Sequence, residues 1–419
     1  MSSHARTSLL ALIAVTSIAL GSTPGLASAA PRKVPQGFFG VDMDPWQFSR
    51  MGSTVDAEMT AAAASGVESV RIPLYWFDIQ PYATWAQIPW ALRGRYTASP
   101  DGGAPYNWTA ADAFMTAAAR TGIRVLPIVL GAPRWAADAK DNRSIPVPAS
   151  PARYAEFCAA AAGRYGTGGS FWASHPDLTP TPVTTWQIWN EPDLDRFWPQ
   201  HKGETQTVIV SGRTKRLKGL GFAPSYVALL RASRASIKAT DSNARVMLAS
   251  MTNLAWSSLK LLYASGAHGS FDEVGANVFS KTAPNIVSAV KTIRATMASN
   301  HDSTLPYSVT EYSWSSASGT IGPTSHMGWL VSTPAVQAKN AGLAIDQFLL
   351  RRVSLKLRAT YWYTWGSSDS GAASVWDYAG MRRLQPDAIL SKPVLATFAK
   401  KALAAEGCRT KTVATACAS

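Results

Sequence analysis

The sequence predicts an α/β protein, a single (β/α)8 TIM barrel, and three observations carry that expectation. Short runs rich in β-branched and aromatic residues alternate along the chain with segments of helical periodicity. The connections that follow the strands are mostly longer than those that precede them. Lone acidic residues stand where strands break into loops, which is where barrels collect their chemistry. An open doubly wound sheet is the competing arrangement, but no glycine-rich phosphate loop follows the first strand to support it.

Taken in order, strand one reads from Gly37 to Met43, and a helix follows from about Thr54 to Ser65, stopped by Gly66. Strand two, Val67 to Leu74, places Arg71 near its end. The long loop after it carries Tyr82, Trp85, Trp90, Tyr96 and Trp108. Thr109 caps a helix to about Thr121, closed by Gly122, and strand three runs from Arg124 to Leu130. Beyond the loop Gly131 to Trp135, a helix spans Pro151 to Tyr165. Strand four, Thr184 to Trp189, breaks at Pro192 and leaves Glu191 at its tip. An insertion from Leu194 to Gly221 contains Phe197, Trp198 and a hairpin turning at Ser211-Gly212. Then come a helix from about Pro224 to Thr240, strand five (Arg245 to Met251) and a short helix from Ser257 to Ala264. Strand six is Glu273 to Phe279, followed by a helix from Pro284 to Ser299. Strand seven, Tyr307 to Glu311, ends on the second lone glutamate. A helix from about Pro334 to Arg352, strand eight (Ala359 to Trp365) and a helix from Pro393 to Ala404 complete the series.

Composition bounds the rest. A chain of 419 residues with 47% hydrophobic and 16% charged residues can bury a barrel-sized core. His4 and Arg6, the apolar run Leu9 to Leu20 and Ala27-Ser28-Ala29 form the three parts of a secretory signal. Residues 1–29 are therefore expected to be removed, leaving a secreted, extracellular barrel over 30–419 with a tail from about residue 406. The apolar run is short for a bilayer span, and no second candidate exists. Cys408 and Cys417 suit a small disulfide loop, whereas Cys158 sits in an alanine-rich helical pattern and reads as a buried thiol. The cysteines and scattered histidines show no metal-ligand spacing. The formal charge of +14 drops by one when Arg6 leaves. Much of it reads as a solvated basic surface, with no nucleic-acid motif.

Glu191 and Glu311, at the ends of strands four and seven, are the candidate catalytic pair. Glycoside hydrolysis with retention needs a protonated carboxyl to assist the departing oxygen. It also needs an ionised one to attack the anomeric carbon. Glu191 is assigned the acid/base role and Glu311 the nucleophile, with Arg71 as the cation that keeps Glu311 ionised. Asn190 offers an amide to a sugar hydroxyl. Tryptophans at strand ends are candidate stacking planes, Trp135 and Trp365 foremost and Trp198 on the insertion. The cluster Arg213, Lys215, Arg216 and Lys218 suits an anionic glycan, or else simply a solvated hairpin.

The segment Trp186-Gln-Ile-Trp-Asn-Glu-Pro-Asp-Leu-Asp-Arg-Phe-Trp198 resembles the acid/base motif of clan A glycoside hydrolases, particularly family 39 and its bacterial relatives. Val309-Thr-Glu-Tyr-Ser-Trp314 resembles their nucleophile strand, and Val70-Arg-Ile-Pro-Leu74 is similar to a motif shared with family 5 cellulases. Tyr361-Trp-Tyr-Thr-Trp365 and Lys392-Pro393 resemble the closing strand and final helix. The resemblance implies a retaining mechanism on a β-linked carbohydrate with no metal or organic cofactor. One departure stands out. Where these relatives carry histidine, proline and tyrosine on strand six, this chain has Asn277, Val278 and Phe279. Phe279 has no phenolic donor to position a nucleophile, a loss of about a hundredfold in rate unless another donor, such as Tyr312 or Tyr75, replaces it. The altered strand keeps open an alternative, a carbohydrate-binding barrel with little or no turnover. Transglycosylation would use the same residues.

Overall fold

The computed structural model describes Met1 and residues 31–44, 53–99, 102–210, 212–252, 254–385 and 388–418. The expected signal segment lies outside the described residues apart from Met1, and so does Ser211 of the expected hairpin turn. Strands β1 (Phe39–Asp42), β2 (Ser69–Tyr75), β3 (Arg124–Leu130) and β4 (Thr185–Ile188) belong to one parallel sheet with β5 (Arg245–Met247), β6 (Val274–Asn277), β7 (Tyr307–Tyr312) and β8 (Leu357–Trp362). Neighbours follow chain order, and β1 pairs with β8. Bridges from Met247 to Glu273 and from Met251 to Ala276 join β5 to β6 and close the ring. The chain is a (β/α)8 barrel.

Around it lie α1 (Val55–Ala64), α2 (Thr109–Thr121), α3 (Pro151–Tyr165), α4 (Ala223–Thr240), α5 (Ala255–Ala264), α6 (Ala283–Ser299), α7 (Pro334–Arg351) and α8 (Pro393–Glu406). Several begin on proline, whose fixed φ and missing N–H suit a first turn. Thr54, Ser150 and Thr333 cap their helices by accepting a backbone N–H on the side chain. Gly122 and Gly407 end α2 and α8 in the left-handed conformation. The main core fills the layer between strands and helices. Inside the ring, Leu126, Met247, Ala359 and Tyr361 form a separate apolar plug. Gly40 admits the Tyr361 ring, because a Cβ there would overlap Tyr361 Cδ1.

Five strands end earlier than their composition suggests. β1 stops at Asp42, β4 at Ile188, β5 at Met247, β6 at Asn277 and β8 at Trp362, because the chain turns at the rim and its side chains leave the pleat. Two further features were not legible as elements. A small sheet of Gly366–Ser367, Arg382–Gln385 and Ala388–Ser391 follows β8. The expected tail is a hairpin, Thr410–Val413 with Ala416–Ala418, carrying the Cys408–Cys417 disulfide. It docks where Ala414 N–H donates to Thr121 O at the end of α2. There Lys411 joins buried Glu406 and Glu68 beneath the barrel.

Candidate active site

At the C-terminal rim the chain leaves β4 through two residues with positive φ, Trp189 (69°) and Glu191 (45°). Neither is glycine, so each conformation is held against an intrinsic cost of about 1–3 kcal/mol. The holding contacts are specific. Trp189 N–H donates to Val129 O, and its indole N–H donates to Phe197 O. Glu191 N–H donates to Ser250 O on the neighbouring β5 connection. Asp193 then ties the turn to that connection by accepting from Thr252 N–H, Thr252 Oγ1 and Ser258 Oγ. The outcome is a half-buried Glu191 facing the barrel mouth.

Glu311 reaches the same mouth from β7. In the register of the sheet Asn277 lies opposite Glu311, beside a bulge in β6, and Asp42 lies opposite Arg71. Arg71 is 1% exposed and fully engaged. Its Nη1 donates to Glu311 Oε1 at 2.8 Å and to Asp42 Oδ1 at 2.5 Å. Its Nη2 donates to Asn190 Oδ1 at 2.7 Å, and its Nε to Gln187 Oε1 at 2.8 Å. Asn277 donates its amide to Glu191 Oε1 at 2.8 Å and accepts from Thr310 Oγ1 at 3.0 Å. Its amide also bonds toward Glu311, so one side chain serves both carboxyls.

The surroundings set the order in which the two acids titrate. Burial raises Glu311 to about 7, opposed by the Arg71 charge and assisted by that of Asp42. Burial, then the Glu311 carboxylate, raises Glu191 further, to about 8, with the Asn277 bond working the other way. Arg71 touches Glu311 but not Glu191, and this difference separates them. The phenol of Tyr363 stands among these groups and is raised by burial, then by Glu311, Asp42 and Glu191.

The acids lie on the wall between two lobes of a cleft. One lobe, of about 370 Å³, is lined by Phe197, Phe279, Trp376 and Tyr363 with Glu191. The other, of about 210 Å³, is lined by Asp42, Arg71, Tyr75 and Ile128 with Glu311. Asn190, Arg196, Phe197, Glu311 and Tyr363 border both.

Five of the residues singled out from sequence therefore converge: Arg71, Asn190, Glu191, Asn277 and Glu311. The three tryptophans do not. Trp365 is fully buried and donates its indole N–H to Glu58 Oε2 at 2.7 Å, so it has no open face. Trp198 is 4% exposed, packed edge-on against Trp189 and Tyr226 and bonded to Ser225 Oγ. Trp135 packs on Trp76, donates to Gln80 O and borders a separate small cavity rather than the cleft. Their strand-end positions were correct, but large aromatic surface at a barrel rim is drawn under the loops. Trp365→Phe is expected to lower stability by about 1–3 kcal/mol, by depriving buried Glu58 of a donor, while leaving turnover per folded molecule intact. Thermal melts beside activity assays check this.

Neither expected replacement for the missing phenol on strand six supplies it: Tyr312 packs on Phe348 and Trp362 away from the mouth. Tyr75 borders the smaller lobe but stacks on Phe77. The donor to the carboxyls comes from Asn277 instead. Sequence reading missed Asp42, Tyr363 and Trp376. Asp42 was findable, since it ends β1 as the glutamates end their strands. Tyr363, one residue past β8, was within reach by the same rule. Trp376 arrives from a distant loop and left no local signal. The basic hairpin Thr205–Val210 with Arg213–Lys218 is exposed, and none of its four cations borders either lobe.

A (β/α)8 barrel with two glutamates at the ends of β4 and β7 is the class that fold and site define. No protein-family model matches the chain, and no curated protein matches it. Among solved structures it is similar to a monomeric beta-xylosidase from Caulobacter crescentus, with TM-score 0.58, 16% identity, 89% of this chain covered and 69% of the other. It is also similar to a GH39 beta-xylosidase from Caulobacter crescentus, with TM-score 0.55 and 18% identity over 89% and 72% of the two chains. A GH53 catalytic domain from Ignisphaera aggregans gives TM-score 0.54 and 16% identity over 88% and 98%. At such identities the likeness carries the fold, and it agrees with the barrel that the family 39 resemblance implied.

Proposed function

We propose that the chain is a secreted, retaining glycoside hydrolase acting on a β-linked oligo- or polysaccharide. The observation that carries this reading is the pairing of two glutamates across one cleft, with a guanidinium on Glu311 and none on Glu191. In the first step Glu311 attacks the anomeric carbon as the Glu191 proton passes to the departing oxygen, leaving a glycosyl ester. In the second, Glu191 takes a proton from water, whose oxygen displaces Glu311 with a second inversion. Sharing the Asn277 amide favours a close pair of carboxyls, suited to the roughly 5–5.5 Å of retention rather than the ~6.5–9.5 Å of inversion. Asn190 has its oxygen committed to Arg71, and its Nδ2 is the group available to a sugar hydroxyl. Aromatic lining in the larger lobe suits the C–H faces of sugar rings. The relatives in shape include proteins described as beta-xylosidases and beta-1,4-galactanases, which supports β-linked substrates. Export rests on the signal-like N-terminus.

Phe279 favours the second reading, a binding protein without turnover. Against it stand the different surroundings of the two acids and the Asn277 donor. The test is a panel of aryl β-glycosides and β-glycans, with the anomer of the first product read by NMR. Turnover with retention is expected, with a bell-shaped pH profile. Glu311 must ionise for the rising limb and Glu191 must keep its proton against the falling limb, so the maximum lies between about 7 and 8. Binding without release across the panel, or an inverted product, would overturn the assignment.

A further inference from the structure

We propose that Asp42 is a positioning residue, which shares the Arg71 cation with Glu311 through the same guanidinium nitrogen and thereby governs how readily the nucleophile ionises. The inference rests on the glycosidase reading for its consequence, and on geometry for its cause. Asp42 and Arg71 are direct register partners on adjacent parallel strands, with both side chains meeting at the mouth. Arg71 Nη1 gives one N–H to Asp42 Oδ1 and the other to Glu311 Oε1, while Nη2 and Nε serve Asn190 and Gln187, so the two carboxyls lie against the same end of one cation. The Asp42 main chain is pinned, its carbonyl accepting from Thr364 Oγ1 and from Trp365 N–H, both at 2.8 Å. The carboxyl is thereby held where it is, 7% exposed, and its buried Oδ2 finds no hydrogen-bond partner among the described residues.

The groups facing Glu311 can be counted element by element. β1 contributes Asp42, β2 Arg71, the turn after β4 Glu191, β6 the neutral Asn277 and the segment after β8 Tyr363. Asp44, beyond β1, acts on Tyr363 as well. Two carboxyls, Asp42 and Glu311, thus share one buried guanidinium, with Glu191 close to Glu311 but not on Arg71. An ionised Asp42 takes part of the Arg71 field and adds a like charge, and both effects keep a proton on Glu311 to higher pH. Asp42 is itself raised to about 7 by burial, against the pull of Arg71.

Asp42→Asn keeps the shape and the Nη1 acceptor but removes the charge. The experiment follows Glu311 by carbon NMR on 13C-glutamate-labelled protein, alongside the pH dependence of kcat/KM on whichever glycoside is turned over. The Glu311 midpoint should fall by about one unit or more. The acid limb should move with it, giving about tenfold more activity, relative to the plateau, below the wild-type midpoint. A midpoint that stays or rises overturns the proposal. So does a lower plateau or Tm without a moved midpoint, which is what a merely structural role produces. Asp42→Ser, which leaves Arg71 to Glu311, gives the same readout if the asparagine variant folds poorly. Because the NMR midpoint needs no turnover, a shifted Glu311 in a protein that cleaves nothing sinks the hydrolase reading alone. An unshifted Glu311 in an active enzyme sinks the role of Asp42 alone.

Discussion

Glu311→Gly is expected to lower turnover of an aryl β-glycoside at least about 10⁴-fold, equivalent to roughly 5.5 kcal/mol of barrier. Nothing else at the mouth can take its place. Asp42, the other carboxyl on Arg71, is pinned through its backbone on β1. The deletion leaves an anion-sized gap beside Arg71, which has lost one of its two carboxylates. Added azide should fill that gap and attack the anomeric carbon from the side Glu311 used, with Glu191 still able to assist departure. The product is then a glycosyl azide of inverted configuration, and the rate recovers with azide concentration. Glu191→Gly should behave differently. Its loss is small on substrates whose leaving phenol is acidic and large on those whose leaving group needs a proton. Its azide product should retain configuration, since azide then intercepts the Glu311 ester. Chromatography and NMR of the azide products decide the case. Equal losses on all leaving groups for both variants, or no azide product from either, would remove the two glutamates from the roles given them.

The second large effect belongs to Arg71→Met. The methionine fills much of the volume but leaves Asp42 and Glu311 buried without a cation, and Gln187 and Asn190 without a donor. Stripping one partner from a buried ionic network costs about 3–5 kcal/mol. The loss should depend on pH in a defined direction. Without Arg71 both carboxyls hold their protons to still higher pH, so the folded state binds more protons than the unfolded one. Stability of the variant therefore falls as pH rises from the ordinary carboxylate range through neutrality, and acid partly rescues it. Wild type should show the same slope in weaker form, because Asp42 and Glu311 already sit near 7 and Glu191 near 8. Denaturant melts at pH 5 and pH 8 measure it. A deficit that is equal at both pH values, or larger at pH 5, contradicts the ionic account.

Much of the site was readable because strand ends announce themselves. Glu191 follows a β-branched run and precedes a proline, Glu311 closes another such run, and Arg71 is a cation set among the apolar residues Val70, Ile72 and Leu74 of its strand. These are local signals, and a charge inside an apolar strand is too costly to be there by accident. The tryptophans were misread for the opposite reason. Trp365 and Trp198 differ from a sugar platform in what covers them, and the covers come from elsewhere: Glu58 and Arg382 beside Trp365, Tyr226 and Ser225 beside Trp198. Asn277 shows the same limit with a better outcome. The departure from the family pattern on its strand looked like a hydrogen bond lost at Phe279, yet the register of Asn277 opposite Glu311 brings its amide to both acids.

By itself, then, the sequence determined the eightfold alternation, the strand-end places of Glu191, Glu311 and Arg71, and the two cysteines able to close a loop at the end, because each is written in neighbouring residues. Tertiary structure alone decided which aromatics stay open, that Asn277 bridges the carboxyls, and that Asp42 divides Arg71 with Glu311. Those outcomes depend on the register of strands far apart in the chain, and on which side chains the closing of the ring buries.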